Sequence, residues 1–132
     1  MGADGEESDN LTGVWHGRYF YKRGPAPVFF TASLIETARH VTGATSEPSS
    51  DGATAFATVL GSRDTRAVSF VKTYDNGHPH FSPIRYAGTL AADGMEIEGT
   101  WHIGWIVSGT FLMIRNRRAA VSMDRKVTER VY

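Results

Sequence analysis

From Gly13 onward the chain alternates apolar and polar residues in runs rich in β-branched and aromatic types, each run closed by a short cluster of turn-forming residues. The runs predict strands at Gly13–Lys22, Val28–Thr37, His40–Ser46, Ala53–Gly61, Arg66–Tyr74, Ile84–Leu90, Met95–Ile103 and Val107–Arg115. The breaks between them carry their own chemistry. Arg23-Gly24-Pro25-Ala26-Pro27 cannot continue a ladder, because proline has no N–H to donate. Glu47 to Gly52 reads as a flexible loop, and Asp75-Asn76-Gly77 and Ala92-Asp93-Gly94 put glycine where a turn needs positive φ. No stretch before residue 116 has helical periodicity.

The two faces of a strand are clearest late in the chain. Met95, Ile97, Gly99, Trp101 and Ile103 share one side of the seventh strand, and Glu96, Glu98, Thr100 and His102 share the other. On the sixth, Ile84, Tyr86, Gly88 and Leu90 oppose Arg85, Ala87 and Thr89. With no helices to cover them, the apolar faces must meet one another, in a sandwich or a closed barrel. Short hairpin-like links favour an all-β, eight-stranded antiparallel up-and-down β-barrel.

The same parity predicts what lines the inside. The expected cavity-lining set is Trp15, Tyr19, Phe30, Glu36, Phe70, Lys72, Tyr86, Trp101, Phe111, Met113 and Arg115. Tyr21 and Tyr74 share that parity, as do the glycines Gly17, Gly88, Gly99 and Gly109. Glycine inside a strand buries nothing and weakens it. Either these glycines make room for large rings in a solid interior, or they leave a lumen; a barrel of this size is wide enough for one small ligand. Glu36, Lys72 and Arg115 face inward too, and an unpaired buried charge is costly, so each should reach water at a barrel mouth or find a partner. Lys72 or Arg115 is the candidate for binding an acidic head group.

Gly13-Val14-Trp15, at the start of the first strand, resembles the G-x-W motif of the calycin superfamily, which includes lipocalins, fatty-acid-binding proteins and avidins; Leu11-Thr12-Gly13-Val14-Trp15 is similar to the opening of avidins. The resemblance implies a calycin-like barrel with an arginine late in the last strand, Arg115 or Arg117, packed over Trp15 as a cation–π contact. The cysteines and the T-D-Y segment of lipocalins, and the later tryptophan-rich strands of avidins, do not occur, so the chain resembles a bacterial relative more than a member of either group. Biotin binding carries over to no residue.

Composition narrows the chemistry. The 132 residues fit one domain, expected as an acidic disordered tail over residues 1–11, a barrel over 12–117, and a C-terminal helix or added strand over 118–132. Formal net charge is zero, so no nucleic-acid partner is expected. There is no cysteine, which removes disulfides and thiolate chemistry. The polar N-terminus and the lack of a long apolar run predict a cytoplasmic protein with no membrane partner. His78-Pro79-His80 is the one metal-like spacing, but alternate residues of an extended chain point to opposite sides, so an ordinary loop and no metal are expected. No nucleotide-binding, hydrolase or zinc-protease motif occurs, and no cofactor is expected.

Trp105 falls at a hairpin tip, where it should cover a mouth or join an interface. Outward apolar residues such as Phe29, Phe56, Val71, Leu112 and Ile114 call for a cover, from the C-terminal segment or from a homodimer. The leading expectation is a barrel that binds a small hydrophobic or amphipathic ligand. A second is a cofactor-free cyclase or isomerase, similar to allene oxide cyclases, with Tyr19, Glu36, Lys72, Tyr86 or Arg115 polarising the substrate. A third is an interaction module with a solid core.

Overall fold

The alternation is realised as eight strands: β1 (Gly13–Tyr21), β2 (Val28–Thr37), β3 (His40–Pro48), β4 (Thr54–Asp64), β5 (Ala67–Tyr74), β6 (Ile84–Leu90), β7 (Glu96–Ile103) and β8 (Val107–Ile114). The computed structural model describes residues 10–24, 26–49, 51–75 and 83–115. Each strand pairs antiparallel with the next, and β1 pairs with β8 from His16↔Ile114 to Tyr21↔Gly109, so the sheet closes into a barrel with no free edge. Among the described residues no helix is long and apolar enough to cross a membrane.

β3 and β4 run further than the alternation indicates, to Pro48 and Asp64. Pro48 is tolerated because it is the last residue of its strand. Gly61 does not end β4; it stays paired, opposite Val41 and Phe70. A Cβ there would lie 2.1 Å from the Ser69 carbonyl oxygen, so only glycine lets β5 approach this closely.

The links differ by end. At the end where β2 meets β3 and β4 meets β5, the turns are tight: Ala38-Arg39 with φ of 52° and 70°, and Thr65-Arg66 with φ of 57° at Thr65. The β6–β7 link on that side turns on Gly94, with φ of 74°. The opposite end carries the β1–β2, β3–β4, β5–β6 and β7–β8 links. His78-Pro79-His80 and Arg117, and the segments 1–9 and 116–132, lie outside the described residues.

The tight-turn end is sealed. Leu11, which the alternation assigns to the tail, is fully buried, together with Trp15, Leu34, Val41, Leu90, Ile97 and Met113. The indole Nε1–H of Trp15 donates to the Leu11 carbonyl at 2.9 Å, and the Leu11 N–H donates to Glu36 Oε1 at 3.0 Å. Arg115 lies over Trp15, its guanidinium carbon 4.6 Å from the ring centre, and donates to the carbonyls of Gly94, Thr12 and Asn10. The segment before β1 is thereby stapled across the barrel base.

Candidate functional site

The inward glycines seat rings. A Cβ on Gly17 would fall 2.3 Å from the ring of Phe30, one on Gly88 2.8 Å from Phe111, and one on Gly109 2.7 Å from the indole nitrogen of Trp101. Register explains the pairing: Gly17 lies opposite Phe30, Gly99 opposite Phe111, and Gly109 opposite Trp101. Large residue meets small across each pair, and the barrel's middle is a layer of aromatics. Phe70 stacks on Tyr86 at 4.6 Å and 10°, while Phe111 meets both edge-on at 6.1 Å and 5.0 Å.

Above that layer, toward the longer links, lies a buried polar cluster. Lys72 on β5 is 1% exposed, and its Nζ donates to Glu47 Oε1 on β3 at 2.8 Å. The Tyr74 hydroxyl donates to the same oxygen at 2.7 Å, and the Tyr19 hydroxyl donates to Glu47 Oε2 at 2.7 Å. Four rings surround the ammonium, those of Tyr74, Tyr19, Phe30 and Tyr86, at 4.8, 4.9, 5.2 and 5.9 Å from the nitrogen. Nearby, the Trp101 indole packs edge-on against Tyr19 at 5.9 Å and Tyr21 at 5.2 Å. Half-buried Val28, Tyr74, Ile103 and Val107 form the rim, and Tyr21 is 38% exposed there.

Burial sets the electrostatics of this cluster. It pushes the Tyr19 phenol far above its usual value, helped by the hydrogen bond to Glu47; it does the same to Tyr74, helped by the charge of Glu47, and to Tyr86. It pushes Lys72 down, against the opposing pull of Glu47. At neutral pH the phenols are therefore hydrogen-bond donors and not acids.

The eleven residues expected to line a cavity are divided by height. Tyr19, Phe30, Lys72 and Trp101 lie toward the end opposite the sealed base, where each is buried, and Phe70, Tyr86 and Phe111 belong to the central layer. Trp15, Glu36, Met113 and Arg115 belong to the sealed base. Glu36 pairs there with Arg63, at 2.7 and 2.8 Å in a two-pronged contact. Burial pushes the Glu36 carboxyl up, but Arg63 and the Leu11 N–H outweigh it and hold it below the ordinary carboxylate range. Neither Lys72 nor Arg115 stands ready for an acidic head group: Lys72 is neutralised by Glu47, and Arg115 is committed to the base.

Glu47 and Arg63 are absent from the sequence-derived set. Both follow from inner parity, Val41, Gly43, Thr45, Glu47 on β3 and Ala57, Val59, Gly61, Arg63 on β4, once each strand is extended past its apparent end. Trp105 does not cover the mouth, being 95% exposed. A groove of about 320 Å³ on the outer wall, between Leu60, Val71, Arg85, Thr100 and His102, lies on the opposite side of the sheet from the buried charges. Among the described residues no group of histidine, aspartate and glutamate is placed to hold a metal.

No protein-family model matches the chain, and no curated protein matches it. Its fold is similar to two solved designs. One is a redesigned β-barrel, 12% identical with a TM-score of 0.66, covering 83% of this chain and 94% of that one. The other is a de novo designed fluorescence-activating β-barrel, 17% identical with a TM-score of 0.61, covering 83% of this chain and 96% of that one. At these identities the likeness is one of fold.

Proposed function

We propose that the barrel binds a small, largely apolar molecule at the end opposite its sealed base, with Tyr19, Glu47, Lys72 and Tyr74 as a polar floor and Phe30, Tyr86 and Trp101 as walls. The observation that carries this reading is the Lys72–Glu47 pair itself, 1% and 7% exposed at the side chains. A buried ion pair gives a fold little or no net stability, because removing both charges from water offsets their attraction. Such groups collect where function needs them. An apolar wall with a few convergent polar groups is the usual make-up of a small-molecule site. The fluorescence-activating design is a barrel of the same kind, which is consistent with this use of the fold.

Holding a ligand suits the cluster better than turning one over. Efficient acid–base catalysis calls for groups that titrate near the working pH; the three phenols are pushed away from it, and Lys72, which burial moves toward it, is held as an ion pair by Glu47 at 2.8 Å. Nile red, a neutral apolar dye, tests the reading. It should bind one-to-one with enhanced emission, and Val107→Trp, which fills the rim, should weaken binding at least tenfold while leaving the thermal midpoint nearly unchanged. Binding indifferent to that substitution would place the dye elsewhere and remove the proposal.

A further inference from the structure

Among the described residues, Lys72 and Glu47 are the charged side chains buried in the half of the barrel away from its sealed base. Their charges cancel at 2.8 Å. An entering carboxylate would meet an ammonium already satisfied and a second carboxylate of its own sign. An entering ammonium would meet Lys72. Either ion would give up its water for surroundings of no net charge, which is unfavourable.

Hydrogen-bond capacity points the other way. Glu47 accepts three donors, from Lys72, Tyr74 and Tyr19. An ammonium has three N–H groups, and Glu47 takes one. Ring faces surround the remainder at 4.8–5.9 Å, and these are weaker partners than a carbonyl oxygen. A second donor is unspent on the same wall. The Thr45 hydroxyl is buried with no hydrogen-bond partner among the described residues, two residues from Glu47 on one face of β3, between Ala32 and Ala57 in register.

Resting on the ligand-binding reading, we infer that the site around Lys72 and Glu47 selects an uncharged molecule presenting a carbonyl-type acceptor oxygen to Lys72, and that Glu47 is the residue that makes it reject ions. Glu47 thus sets specificity through Lys72, by cancelling the charge that would otherwise recruit an acid.

Calorimetric titration of the full chain at pH 7 with decan-2-one, decanoate and decylammonium separates the possibilities, since the three share an apolar body. The ketone should bind at least tenfold more tightly than either ion. In Glu47→Gln, checked for folding by circular dichroism, decanoate should gain at least tenfold and decylammonium should not. An ion that equals or exceeds the ketone on the unaltered chain overturns the selectivity, as does a folded Glu47→Gln with an unchanged ranking. If none of the three binds, the ligand-binding reading fails as well. Should Glu47→Gln not fold, the ranking on the unaltered chain decides alone.

Discussion

Lys72 and Glu47 sit on strands separated by β4, and each is the other's charged partner inside the barrel. Removing one member leaves a buried charge without compensation, a change that costs about 3–5 kcal/mol in comparable settings. Lys72→Met and Glu47→Leu should each fall in that range by urea denaturation. The double replacement should recover most of the loss or exceed the parent by about 1–4 kcal/mol, since well-packed apolar groups avoid the desolvation cost altogether. Additive losses in the double variant would instead mean that the two charges do not compensate each other, and would remove the reason to assign the pair a binding role. Lys72 was legible as an inward residue from parity alone; its neutralisation was not, because Glu47 lies past the apparent end of its strand and reads in sequence as part of a loop.

At the scale of elements, strain concentrates in the β2–β3 hairpin. Ala38 and Arg39 both take left-handed φ, 52° and 70°, where a side chain with a Cβ costs about 1–2 kcal/mol. Asn-Gly is the pair this turn geometry favours. The Arg39–Asp64 ion pair that glycine would remove is exposed at 3.7 Å and contributes little. Ala38→Asn with Arg39→Gly should therefore raise the unfolding free energy by about 1 kcal/mol, read from the denaturation midpoint at unchanged slope. The other elements were largely legible. The alternation gives all eight strands; β3 and β4 extend further because a glycine and a strand-terminal proline look like breaks in sequence but are paired in the sheet.

For the whole molecule, the buried titrating groups set a pH window. Tyr19, Tyr74 and Tyr86 keep their protons in the fold above the pH at which an unfolded chain releases them. Their contribution is complete below about pH 10 and is lost as pH rises beyond it. Lys72, pushed down by burial, works in the opposite sense between its folded value and the ordinary lysine value, but it is one group against three. Base titration should show tyrosinate absorbance from these residues appearing together with loss of near-ultraviolet circular dichroism, and not before it. Glu36, held low by Arg63 and the Leu11 N–H, contributes above the ordinary carboxylate range and loses that contribution as pH falls through its folded value. Glu36→Gln should flatten the acid limb of the stability profile.

The sequence by itself determined the class of architecture and the facing of the strands, because a period of two places every second side chain on one side whatever the partner strand. The G-x-W resemblance pointed to Trp15 with Arg115 or Arg117, and Arg115 is the one whose guanidinium lies over the ring. Only the tertiary structure decided which inward residues meet. Closing β8 onto β1 and staggering each ladder brings Glu47, Lys72, Tyr19 and Tyr74 to one height while sending Glu36 and Arg115 to the other end. Parity is a property of one strand, whereas height in a barrel depends on the register of all of them.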